Sequence, residues 1–188
     1  MKIPQYNKTC KWVKPVLGSV FTESYAKYVP AFRAQCDEVG VYACIREITG
    51  YAVGLERHAA GRSLPGAVRH VLKTTNQPAL FWGIDDKIVK APKVPDNQDW
   101  DVGIMRNREL EQMETHLEYG PFIFVNTTTS GREFLDIWCE MTKWGNDHRA
   151  QCAAIMMTFG FMRYFDCEPW LKGCVEMRGN DYRKDLTI

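Results

Sequence analysis

The chain has 188 residues, 45% hydrophobic and 25% charged, enough for one sizeable core and too few for two ordinary domains, so a single domain over 1–188 is expected. A net charge of +1 excludes a long-range pull toward nucleic acid or anionic membrane and leaves only local patches to meet either. Seven cysteines, an odd number set mostly among apolar neighbours, read as reduced thiols. MKIPQYNKTCKW has no apolar leader, and no run approaches the roughly 18 apolar residues of a spanning helix, so a soluble, cytoplasmic protein with no membrane contact is expected.

Residues 13–21 (VKPVLGSVF) read as a β segment interrupted early by Pro15, with Thr22-Glu23-Ser24 offering a helix cap behind it. Tyr25, Tyr28, Val29, Phe32, Cys36 and Val39 then recur at helical spacing, and Pro30 inside that pattern should kink the helix or restart it. Gly40 ends the helix, and 41–48 (VYACIREI) has the β-branched and aromatic content of a strand. Residues 49–62 carry no clear pattern. Val68, Val71 and Leu72 place a helix over 65–73, and 79–84 is an apolar run. Strand alternating with helix predicts an α/β domain whose central sheet is mainly parallel and flanked by helices.

Beyond a polar loop at 93–100, residues 101–105 (DVGIM) are a strand candidate, 106–118 a charged surface stretch and 121–126 (PFIFVN) a buried strand. After a cap in 127–130, Phe134, Leu135, Trp138 and Met141 form a helical stripe, and 149–159 is a second helix. Residues 161–165 suggest a last strand before a basic tail.

Residues 78–92, PALFWGIDDKIVKAP, end their apolar run on adjacent carboxylates, Asp85 and Asp86. Two acids beside a buried strand are costly unless compensated. They either cap a turn or hold a hard divalent ion, Mn²⁺ or Mg²⁺, that keeps part of its shell for phosphate. Ligands of open α/β sheets gather outside the carboxyl ends of the strands, where these acids are expected.

The layout of these blocks, PALFWGIDDKIVKAP, DWDVGIMRNR and YGPFIFVNTTTSGREFLDIWCEMTKWGNDHRAQ, resembles the nucleotide-diphospho-sugar transferases of the GT-A glycosyltransferase fold over roughly residues 16 to 170. The resemblance implies a GT-A-like domain, a nucleotide-sugar donor received near Thr22 and Tyr25, and a metal motif whose second acid is Asp85. The motif's first acid falls on Gly83, and Asp86 offers an oxygen in shifted register. It further implies Asp101 near the donor sugar, Arg106 near the diphosphate, Gly120 where backbone approaches the sugar, and Asn126 at a strand end, which could equally cap the next helix. Asp147 and His148 take the place of the family's Asp-Gln pair. There Asp147 would serve as general base or face positive charge on the sugar, or else simply cap its helix. Arg62 or Arg69 would stand for the family's early lysine.

The expected function is transfer of a sugar from a nucleotide-diphosphate sugar to an acceptor hydroxyl. The compactness resembles virus-encoded enzymes, including those of bacteriophage, which suggests a hydroxymethylated base in DNA as acceptor and a host-cytoplasm location. A basic, aromatic tail surface around Trp170, Lys172, Arg178, Tyr182, Arg183 and Lys184 would meet its phosphates. A non-catalytic nucleotide-sugar binder or scaffold of the same fold is the alternative. A zinc site from His148, Cys152, Cys167 and Cys174 is a third reading, weakened by the lack of any C-x-x-C pair.

Overall fold

The computed structural model describes residues 11–96, 99–106, 119–145, 147–167, 171 and 173–176. After the short strand β1 (Trp12–Val13), β2 (Val16–Phe21) is buried along nearly its whole length, as a strand covered on both faces must be. A 3-10 turn (Glu23–Tyr28) follows, and α1 (Val29–Glu38) starts afresh with Pro30 in its first turn, where the missing N–H breaks no hydrogen bond. β3 (Ala43–Glu47) leads into α2 (Glu56–Thr75), which begins nine residues ahead of the expected helix and runs through Pro65. Proline removes one bond there, yet Val68, Val71 and Leu72 bury fully in the following turns and hold the helix on the sheet.

β4 (Ala79–Phe81), the two-residue strands β5 (Lys87–Ile88) and β6 (Val94–Pro95), β7 (Val102–Arg106) and β8 (Tyr119–Val125) come next. They are followed by α3 (Thr129–Met141), α4 (Asp147–Thr158), β9 (Tyr164–Asp166) and β10 (Val175–Glu176). The main sheet has the order β3-β2-β4-β8-β7-β9. β2 is parallel to β3 and β4, β7 is parallel to β9, and β8 is antiparallel to both its neighbours. Five strands therefore point one way and only β8 is reversed. The mainly parallel sheet is as expected.

Alternation along the strands builds two cores. Val16, Val20, Ala79, Phe81, Ile123 and Val125 face α2, α3 and α4, while Leu17, Leu80, Trp82 and Phe124 face Phe32 and Cys36 of α1. Burial, with Asp37 adding to it, pushes the Cys36 thiol up to about 12, so this sulfur packs as an inert apolar group. All six described cysteines are free thiols.

At the amino ends of β7 and β9 the fold is closed by one carboxylate. Asp101 is 1% exposed and accepts from Thr128 Oγ1 at 2.7 Å, from Arg163 N at 2.9 Å, and from Arg163 Nε and Nη2 at 3.0 and 2.7 Å. Thr128 is also the N-cap of α3, accepting from Gly131 N at 2.9 Å. Gly131 has no room for a side chain, since a Cβ there would lie 2.5 Å from Asn126 O. The lock thus joins β7, α3 and the entry to β9. Burial pushes the Asp101 carboxyl up, but the hydrogen bonds from Arg163 and Thr128 outweigh it and hold it below its ordinary value.

Replacing Asp101 with Ala strands a half-exposed guanidinium and a buried hydroxyl, and should cost about 3 kcal/mol in urea unfolding. Because the native carboxyl titrates below the free group, its contribution is present above about pH 4 and is lost as pH falls through the native value. The stability gap between wild type and Asp101→Asn should accordingly shrink as the pH is lowered from 5 to 2 in a denaturation series.

Candidate active site

The parallel strands gather their carboxyl ends, and the loops that follow them, at one end of the sheet. β2 runs out at Thr22, whose buried hydroxyl lies 3.2 Å from Ser24 Oγ, and its O accepts from Tyr25 N at 2.9 Å to start the 3-10 turn. The Tyr25 and Tyr28 rings pack 5.8 Å apart. A pocket of about 500 Å³ opens between Glu23 and Ser24, Glu47 at the end of β3, Thr49 and Tyr51 of the following loop, and Glu56 at the start of α2, with Thr22 and Tyr25 next to this lining in sequence and not part of it. Tyr51 Oη accepts from Glu23 N at 3.3 Å and ties the loop to the turn.

The neighbouring strand β4 delivers the paired acids. Ser19 Oγ donates to Trp82 O at 2.8 Å and Trp82 N donates to Gly18 O at 3.0 Å, so the chain stays pinned to β2 until Gly83. Ile84 turns inward into the core, and the half-buried Asp85 and Asp86 fold back over the glycine. A Cβ built on Gly83 would stand 2.8 Å from Asp86 Oδ2 and 3.1 Å from Asp85 Oδ1. Both carboxylates therefore face the volume that a side chain at 83 would fill. Gly83, read from sequence as a departure from a metal motif, is the space into which two oxygens converge.

Among the described residues no group of three or more His, Cys, Asp or Glu side chains is arranged to hold a metal ion, which also leaves Cys152, Cys167 and Cys174 without a shared zinc site. Two converging carboxylates nevertheless fit Mn²⁺ or Mg²⁺, hard ions that commonly take one or two protein oxygens and fill their shell with water and phosphate. The donor set and the space at Gly83 are compatible with such an ion.

Arg106 closes β7 and pairs with Tyr119 across a register shift, and Gly120 follows on β8, so both backbones stand at this same end of the sheet. Asp147 and His148 open α4, at the helix end remote from the Thr158–Tyr164 hydrogen bond that fixes its last turn beside the amino end of β9. Arg62 is exposed in the second turn of α2, whereas Arg69 is paired with Asp136 at 3.0 Å. The tail residues Trp170, Lys172, Arg178, Tyr182, Arg183 and Lys184 lie outside the described residues.

Two expected site residues lie at the wrong end. β8 is reversed, so its last residue, Val125, pairs with Ala79 and Val102, and Asn126 emerges beside the amino ends of β4 and β7. Asn126 is buried, donating to Trp100 O at 2.8 Å and accepting from Thr127 N at 2.8 Å. Asp101 is spent in the lock described above. Neither oxygen of Asp101 faces the pocket or the paired acids, and both residues serve the fold. For Asn126 the deciding feature was the reversal of β8, which strand pattern alone does not carry; for Asp101 it was its place at the start of the 101–105 strand, which puts it at the amino end of a strand that runs with the others. Glu47 was missed because it reads as one more residue of the 41–48 strand, and Tyr51 because it falls in a stretch without periodicity.

The backbone path is shared with known structures. A glycosyltransferase involved in the glycosylation of the major capsid of PBCV-1 superposes with a TM-score of 0.57 at 12% identity, over 81% of this chain and 83% of that one. The fold is GT-A-like. The apo form of the glycosyltransferase GlyE of Streptococcus pneumoniae superposes with a TM-score of 0.50 at 10% identity, over 82% of this chain and 46% of that one, so the chain spans less than half of GlyE. No family model matches the sequence, and no curated protein matches it. At such identities the likeness is one of fold, and the chemistry must be argued from the site.

Replacing Gly83 with Ala should displace both carboxylates while leaving the fold in place, because the atoms it meets are side-chain ends. Mn²⁺ affinity, followed by the paramagnetic signal of the free ion, is expected to fall about tenfold or more with a melting temperature within a few degrees of wild type.

Proposed function

We propose that this chain is a glycosyltransferase, moving a sugar from a nucleotide-diphosphate donor to an acceptor hydroxyl. The observation that carries this reading is the convergence of Asp85 and Asp86 over Gly83, at the carboxyl end of β4 and next to the strand whose end borders the pocket, in a GT-A-like fold. Thr22 and Tyr25 border the nucleoside, with Ser24 and Thr49 available as hydrogen-bond partners. Asp85 and Asp86 would hold a divalent ion, which when bound would supply positive charge to the departing diphosphate. Arg106 and Arg62 are the cations assigned to phosphate, where a guanidinium binds two oxygens at once. Gly120 lets backbone approach the sugar. Asp147, at the start of α4, is assigned to the sugar side, to take the acceptor's proton or balance charge at the anomeric carbon, and His148 is assigned to the sugar from the next position.

The relatives in structure support a sugar-nucleotide donor and leave the acceptor open; a hydroxymethylated base in DNA rests on tail residues outside the described ones. Among the described residues no helix is long and apolar enough to cross a membrane.

Incubation with a panel of UDP- and GDP-sugars and Mn²⁺ should release nucleoside diphosphate from at least one donor. Asp85→Ala is expected to lower that release at least about a hundredfold with an unchanged circular dichroism spectrum. Full activity in that variant would remove the metal from the account, and silence of the wild type across the panel with nucleotide binding intact would favour a binding module. Asp147→Asn should cost about 10² to 10⁴ in turnover and leave donor affinity near wild type.

A further inference from the structure

Three tryptophans, Trp82, Trp100 and Trp138, are wholly buried, whereas Trp144 is 83% exposed. Its indole makes no hydrogen bond or ring contact with the described residues, although its backbone is hydrogen-bonded, with Trp144 N donating to Met141 O at 3.0 Å and Lys143 N to Glu140 O at 3.1 Å. An indole left in water forgoes about 2 kcal/mol of burial, so this one is free to contact a ligand, and its place in the fold decides which.

The turn stands at the active-site end. Arg132 of α3 donates to Asn76, just past the end of α2, at 3.0 Å, and Asp136 one turn later pairs with Arg69, further back along α2, at 3.0 Å. The two helices are thus antiparallel. From these pairings α3 runs toward the beginning of α2, where Glu56 borders the pocket. Trp144 follows that end directly and precedes Asp147 and His148 by three and four residues.

We infer that Trp144 is the platform on which the acceptor lies, and that the acceptor is a neutral glycan. Calling the bound glycan an acceptor rests on the transfer reading above. A pyranose presents a face of weakly positive C–H bonds that packs on the negative face of an indole, and the exposed N–H can donate to a hydroxyl. A nucleobase would stack as well, but a nucleic acid also requires cations along its phosphates. Lys143, the neighbouring cation in the chain, is paired with Glu140 at 2.6 Å, and Arg69 is paired with Asp136. Arg62, the exposed cation of α2 at this end, is already assigned to the donor phosphate, so the surroundings favour an uncharged ring over a polyanion.

Saturation-transfer NMR of the full chain with cellobiose, maltose, lactose, chitobiose and mannobiose, and with a single-stranded oligonucleotide, tests this without requiring turnover. At least one sugar should take up saturation from the wild type and from Trp144→Phe. Trp144→Ala, with a wild-type melting temperature because the indole is exposed, should reduce the signal about fivefold, the scale of one aromatic contact. In transfer assays the acceptor KM should rise by a similar factor with the donor KM unchanged. Equal saturation in Trp144→Ala, no response to any of the sugars, or a response to the oligonucleotide alone would overturn the assignment. Trp144-dependent sugar binding without nucleotide release from any donor would instead count against the transfer reading and leave the glycan platform standing.

Discussion

A single buried carboxylate organises the half of the molecule that the sheet alone does not. Asp101 joins the start of β7, the cap of α3 and the entry to β9 through Thr128 and Arg163. A buried anion tolerates no loose geometry, because every lost donor exposes its full desolvation cost. The lock therefore fixes where α3 begins, and α3 in turn carries the turn that holds Trp144 and leads to Asp147. A structural anion at one end of the sheet thus sets the position of backbone at the other.

The site end is shaped by space as much as by charge. Two adjacent carboxylates repel each other, yet they can face one point if the backbone beneath them leaves room, and Gly83 provides it at the tip of a strand pinned by Ser19 and by the Gly18 carbonyl. The charge density of such a pair is suited to a divalent ion with phosphate completing its shell. The adjoining pocket between the ends of β2 and β3 is lined by Glu23, Glu47 and Glu56 alongside Ser24, Thr49 and Tyr51, a lining that accepts hydrogen bonds from a nucleoside better than it holds its phosphates. These two linings are the basis of the proposed division of the donor into a nucleoside part near β2 and β3 and a diphosphate part near β4.

Much of the layered architecture was legible in the chain. The periodic stripes of Phe32 and Cys36, of Val68, Val71 and Leu72, and of Phe134, Leu135 and Trp138 are the buried helix faces, and the continuous apolar runs are the covered strands. The early start of α2 was not legible, because Glu56 to Gly61 carry too few apolar residues to mark a face and Pro65 suggests an end instead of an interior. Tertiary packing overrode local propensity there.

The sequence by itself determined which residues are apolar and at what period, and hence an α/β sandwich with acids at the tip of a buried strand; these depend only on neighbours a few positions apart. Only the tertiary structure decided which strand ends share a side. Reversal of β8 depends on hydrogen bonding to β4 and β7, strands far removed in sequence, and a strand's side-chain alternation reads the same in either direction. That reversal carried Asn126 to the far end, alongside the Asp101 lock, whereas Asp85 and Asp86 follow β4, which is parallel to β2, and so stay at the opposite end.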